Sequence, residues 1–141
     1  MQLRDSIILN YSINKLLPLI MMFSFYMFAY GGNFPGGGFQ AGVIFGTIII
    51  IVEVLFEYEI KADLFYRYVE IGGILILLAL MILGIIYSGY PFDFYHLRGG
   101  SLLFSNVTIF LLNLAIYLEV SGSIILIFRN FIRFDDEKKN I

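Results

Sequence analysis

The 141-residue sequence contains no cysteine, no tryptophan, one histidine (His96) and three prolines. Without cysteine there are no disulfides, no thiolate metal ligands and no cysteine nucleophile. A single histidine cannot build a multi-histidine metal site. Charge is scarce too: charged residues make up 14% of the chain, against about 25% in soluble domains. With a formal net charge of −2 and no basic stripe interleaved with aromatics, a nucleic-acid surface is excluded. What fills the chain is hydrocarbon, with 60% hydrophobic and 18% aromatic residues and a mean hydropathy of +0.87. Too little polar surface remains to cover a water-soluble globule, so the chain reads as an integral membrane protein. The opening M-Q-L-R-D-S-I-I-L-N has no small-residue cleavage site closing a short apolar run. That predicts a retained first helix and not a signal peptide.

In lipid each span must satisfy its own backbone hydrogen bonds, and about 20 helical residues cross the hydrocarbon core. Four runs qualify, at about 11–30, 39–57, 69–87 and 107–128. They are continuous and not alternating, which argues against a β-barrel. The fold class expected is all-α, a four-helix integral membrane protein forming one transmembrane domain over 1–141. Pro18 is expected in the first turns of span one, where a missing amide proton costs little. Four spans put the N-terminus, the second loop and the C-terminus on one side. That side holds Arg4, Lys15, Lys61, Arg67, Arg129, Arg133, Lys138 and Lys139, while Arg98 alone is on the other. The bias predicts cytoplasmic termini. Tyr30, Tyr87, Tyr90 and Tyr95 at span ends suit the interfacial belt. Residues 135–141 read as a short, charged, mobile tail.

Residues 31–42 read G-G-N-F-P-G-G-G-F-Q-A-G, six glycines in twelve positions between two apolar spans. A phosphate loop requires a Gly-Lys-Ser/Thr ending, and a dinucleotide fingerprint requires a preceding strand; neither is present. Pro35 suits the first turn of an incoming helix. Gly36, Gly37 and Gly38 allow close backbone approach and positive φ. Gly38, Gly42 and Gly46 recur every fourth residue with Ala41 beside them. In lipid such a small-residue stripe draws helices together by backbone contact. Tight helix packing is the plain reading; an ion pathway through the loop is the alternative.

Ionisable groups inside the membrane are costly, and they either pair or line a polar path. Glu119 lies ~18 Å along a span starting near residue 107, which makes it the leading ion-pathway candidate. It could hold a proton or Na+, or pair with Lys, Arg or Tyr on a neighbouring helix. Asn113 is six residues earlier, off the Glu119 face, and Ser123 four later, on it. Glu53 and Glu57 form an i, i+4 carboxylate pair near the inner end of span two. They could gather cations or share a proton, or form a solvated helix end beside Lys61 and Arg67. Glu70 fits a helix-dipole position at the start of span three. His96, with Asp93 and Arg98 in the outer loop, reads as a surface group.

The segment G-x-x-x-P-G-G-G-F-x-x-G resembles the hallmark of the MnhB (MrpB) family, small membrane components of the Mrp multisubunit Na+/H+ antiporters. In the last span, N-L-A-I-Y-L-E-V-S-G-S at 113–123 resembles that family's D/N-x-G-V-x-x-x-V-x-G pattern at Asn113, Ala115, Ile116, Val120 and Gly122. Two positions depart from the family. Gly32 stands where histidine is frequent, so no role for that histidine transfers, and Ala115 stands where glycine is common. The resemblance implies a multi-pass subunit in a prokaryotic cytoplasmic membrane, partnered by large antiporter-like and other small helical subunits. Na+ or H+ would be the transported ions, with no cofactor bound by this chain. Homologous subunits occur in ion-pumping membrane-bound hydrogenases and sulfur reductases, which is the alternative setting. A third possibility is a small homo-oligomeric channel, for which the spans offer few polar residues to line a pore. No nucleophile–base pair or cofactor motif appears, so the chain is not expected to be an enzyme by itself.

Overall fold

The computed structural model describes residues 7–31, 36–56, 63–91 and 102–139. They form four helices, α1 (Ile7–Tyr30), α2 (Gly38–Phe56), α3 (Asp63–Ser88) and α4 (Leu102–Lys139), with no strand among the described residues. Each contains a stretch long and apolar enough to cross a membrane: Tyr11–Tyr30, Gly38–Leu55, Asp63–Tyr87 and Val107–Phe134. The all-α, four-helix membrane architecture therefore stands. The reason is the one that selects helices in lipid generally: only they satisfy every backbone donor and acceptor within one segment.

Helix ends differ from the apolar runs, because charged residues end a hydropathy window but do not end a helix. α1 starts at Ile7, which places Pro18 about three turns in, not in the first turns. There the proline removes an interior hydrogen bond to Asn14, a loss that transmembrane helices tolerate through local adjustment. α3 starts at Asp63, an acidic residue in its first turn. Glu70 then sits about two turns in, beyond the reach of the helix dipole. The dipole position expected for Glu70 belongs to Asp63. α4 stays helical through Lys139, so residues 135–139 of the expected tail continue that helix. Its 38 residues span about 57 Å, well beyond a hydrocarbon core of about 30 Å.

The helices alternate in direction. The Gly31 end of α1 meets Gly37 at the start of α2. α2 and α4 run parallel, with Gly38 against Asn113, Gly42 against Tyr117 and Val120, and Gly46 against Ser121 and Ile124. α3 and α4 run antiparallel, with Gly73 against Ala115 and Glu119 and Gly122 against Tyr66 and Glu70. The start of α1 and the end of α4 thus lie at the same end of the bundle. α4 is the centre: α2 and α3 pack along it, and α1 leans mainly on α2. An aromatic cluster fills the space between α1, α2 and α4. The Tyr117 ring lies 6.2 Å from Phe25, 5.2 Å from Phe28 and 5.6 Å from Phe45, centre to centre. Phe28 also meets Phe110 at 5.1 Å.

Candidate functional site

The glycine-rich segment supplies a turn and then a contact face. Gly36 and Gly37 take φ values of +147° and +155°, a region that side-chain-bearing residues rarely adopt. A Cβ at Gly31 would lie 2.6 Å from the Gly37 Cα, so the two limbs of the turn touch. Pro35 lies outside the described residues. α2 opens at Gly38, whose N–H donates to the Asn113 Oδ1 at 3.3 Å. One of the four amide donors left free at a helix start is thereby satisfied from another helix. A Cβ on Gly38 would overlap the Asn113 carbonyl outright; one on Gly42 would come within 2.9 Å of the Tyr117 carbonyl, and one on Gly46 within 3.1 Å of the Ser121 carbonyl. The stripe Gly38-Gly42-Gly46 is thus the surface on which α4 lies. Ser24 of α1 fastens the other side of α2, its hydroxyl donating to the Ala41 carbonyl at 2.9 Å.

The seam between α3 and α4 uses the same chemistry twice. α3 carries Glu70-Ile-Gly-Gly73 and α4 carries Glu119-Val-Ser-Gly122. Antiparallel pairing sets each glycine beneath the other helix's glutamate. A Cβ on Gly73 would sit 2.6 Å from the Glu119 nitrogen and 2.9 Å from its Cβ. A Cβ on Gly122 would sit 3.1 Å from both the Glu70 nitrogen and its Cβ. The two glutamates therefore occupy neighbouring layers of one seam. Their partners differ: the Ser123 hydroxyl donates to Glu70 Oε1 at 2.5 Å. Glu119 has no hydrogen bond or ion pair among the described residues. An acidic side chain at a helix centre costs about 2.5–3.5 kcal/mol to insert into a bilayer, so leaving it unpaired is not neutral.

At the end where α2 stops and α3 starts, four charged residues from three helices meet. Arg129 holds Glu53 through two hydrogen bonds, Nε to Oε2 at 3.1 Å and a guanidinium NH2 to Oε1 at 2.5 Å. Its other terminal nitrogen pairs with Asp63, which also takes Arg133. Arg129 stacks over the Tyr66 ring at 5.0 Å. The side chains of Arg129 and Glu53 are both 13% exposed, so this pair is poorly screened by solvent and its fork geometry favours it. Two arginines against two carboxylates cancel, and the cluster ties α2, α3 and α4 together.

Of the four ion-pathway candidates, the structure gives two a partner within the chain. Asn113 bonds the start of α2, and Glu53 is clasped by Arg129. Glu57 lies outside the described residues. Glu119 alone is mid-helix and unpartnered among the described residues. Sequence reasoning missed Asp63 and Arg129 as partners of the inner cluster. The signal was available: the count that put Arg129 and Arg133 at the inner end also put Glu53 there. It also missed Gly73, and named Gly122 only as a position of the last-span pattern; the repeated E-x-x-G spacing marks both. Among the described residues no three His, Cys, Asp or Glu side chains gather as a metal site.

Comparison with known proteins follows the same segments. Residues 8–126 match a family described as a domain related to the MnhB subunit of Na+/H+ antiporter. The B subunit of a Na+/H+ antiporter from Bacillus subtilis (strain 168) is 30% identical over 112 residues, covering 74% of this chain and 77% of the relative. A putative antiporter subunit mnhB2 from Staphylococcus aureus (strain Newman) is 41% identical over 49 residues. That shorter match spans about a third of each protein, 34% of this chain and 35% of the relative. With four apolar helices in place and the family match running from α1 into α4, the chain belongs to the MnhB family of Na+/H+ antiporter subunits.

Proposed function

We propose that the chain is a non-catalytic membrane subunit of an Mrp-type cation/proton antiporter complex, assisting its assembly and its Na+/H+ translocation. One observation carries this reading. The two segments that resemble the antiporter family, P-G-G-G-F and the pattern in the last span, are two sides of one contact, with Gly38 on Asn113 and Gly42 on Tyr117 and Val120. What the family pattern specifies is therefore a joint between helices. A rigid joint positions a subunit against its neighbours, which is a scaffold's task. The partners are other membrane subunits of a hetero-oligomer, and the setting is a prokaryotic cytoplasmic membrane with both termini inside. Both Arg129 and Arg133 lie at the proposed inner end, in keeping with that orientation.

The names of the relatives favour an antiporter over a hydrogenase-type parent complex, since one is named a Na+/H+ antiporter subunit and the other a putative antiporter subunit. The deciding experiment is purification of the native complex in mild detergent through a tag on this chain, with mass spectrometry of what accompanies it. Antiporter subunits are the expected companions. Iron–sulfur or nickel subunits would move the chain into a redox-driven pump. Recovery of the chain alone, as a conducting homo-oligomer, would overturn the subunit reading.

A further inference from the structure

We propose that the α4 face bearing Glu119 docks a transmembrane helix of another subunit, and that this helix offers a lysine or arginine to the Glu119 carboxylate. The inference rests on the reading of the chain as one subunit of a larger membrane complex. Its starting point is depth. Glu119 is twelve residues from Val107 and fifteen from Phe134, the limits of the apolar stretch of α4. These separations correspond to ~18 Å and ~22 Å of helix, and a stem of two methylenes reaches neither headgroup layer. Its backbone cannot shift to help, because its nitrogen and Cβ are pressed against Gly73.

Among the described residues the chain's own cations do not answer it, and Arg67, exposed on α3, makes no ion pair with it. Every other acidic side chain described in the spans has a partner: Glu53 and Asp63 have Arg129, Asp63 also has Arg133, and Glu70 has Ser123. Arg129 and Arg133 lie ten and fourteen residues further along α4 and are already held by those carboxylates. Lys15 belongs to α1, over the Tyr11 ring. With no cation on it among the described residues, the geometry points to a charge from outside the bundle. The surroundings fit a helix as its carrier. Leu112, Ile116 and Leu126, which flank Glu119 on the same α4 stripe, are half-buried and not fully covered, while Ser123 on that stripe is turned to Glu70 of α3. A lipid chain could cover that stripe but brings no cation to this depth. A basic side chain on a partner helix supplies charge, hydrogen bonds and orientation together.

The test uses the whole complex in native membranes. A photo-reactive benzophenone side chain at Ile116, one turn from Glu119, should crosslink to a transmembrane peptide that carries a Lys or Arg within a turn of the adduct. Glu119→Lys should lower recovery of that subunit with this chain by about 30-fold or more, the lower bound for truncating a buried charge pair. Reversing the partner's base to glutamate should restore recovery, which separates a lost pair from a misfolded chain. The near-isosteric Glu119→Gln should give a partial loss. The proposal is overturned if the adduct is lipid only, or if the crosslinked helix has no basic residue. It is also overturned if Glu119→Gln leaves the complex intact while transport falls, which would mark Glu119 as an ion relay. In each of these cases wild-type copurification stays intact and the subunit reading survives. Wild-type chain that recovers no antiporter subunit defeats both.

Discussion

The glycine contacts with α4 allow one graded prediction. Replacing each glycine by alanine adds the same methyl group, so only the space available differs. At Gly38 the methyl overlaps the Asn113 carbonyl, and at Gly73 it falls 2.6 Å from the Ala115 carbonyl. Both obstacles are helical backbone, which cannot rotate aside as a side chain can. Overpacking of this kind costs about 1–3 kcal/mol, and these two sites belong at or above the top of that range. Gly42 and Gly122, with their nearest atom at 2.9 Å, should fall in its lower half. At Gly46, with 3.1 Å, the strain is nearly offset by the helix propensity that alanine gains over glycine, about 1 kcal/mol. Gly72 is the internal control, since its added methyl meets nothing within 4 Å. Gly72→Ala should therefore stabilise the bundle by up to about 1 kcal/mol. Unfolding of the purified chain in detergent micelles by added SDS, followed by circular dichroism, ranks the six variants. The expected order is Gly38 and Gly73, then Gly42 and Gly122, then Gly46, then Gly72. If Gly72→Ala damages the fold as much as Gly38→Ala, or if Gly38→Ala is silent, the close-contact account is wrong.

Two further outcomes follow from the same geometry. Arg129→Gln strands Glu53 and leaves Asp63 with Arg133 alone; it should destabilise the bundle by about 3–5 kcal/mol, the range for breaking a buried pair from one side. Arg129→Lys keeps the charge without the fork and should lose less in the same SDS titration. Tyr117 is 5% exposed, and its buried hydroxyl lies near the Ser24 hydroxyl without a hydrogen bond of ordinary geometry. Tyr117→Phe should therefore be neutral or stabilising by about 1 kcal/mol; a clear loss would show that the hydroxyl is bonded.

The four helices were legible because each is announced by a local property, an unbroken apolar run of membrane length. The contact stripe was legible for a similar reason, since Gly38, Gly42 and Gly46 share a face by spacing alone. What spacing cannot supply is the partner. That α2 lies on α4, and runs parallel to it, depends on which helices the bundle brings together. Hence Asn113 looked like a polar group in search of an ion, when its side chain accepts from the start of α2. Glu53 looked free for the same reason, Arg129 being 76 residues away along the chain. Helix ends escaped because hydropathy reports where lipid is, whereas Asp63 and the last turns of α4 are helical outside the runs read at 69–87 and 107–128.

The central place of α4 carries a consequence for how the molecule is made. Ribosomes deliver spans in order, and α4 emerges after the other three. The contacts of Gly38, Gly42, Gly46 and Gly73 all await it, as does the neutralisation of Glu53 and Asp63 by Arg129. Until then the first three helices hold chiefly the packing of α1 on α2, with the Ser24 bond and the Phe25–Phe45 contact. The fold thus closes in one late step, and a chain stopped short of α4 leaves exposed glycine seams and unpaired carboxylates. Those are features by which a membrane protease could recognise an unfinished chain ahead of its entry into a complex.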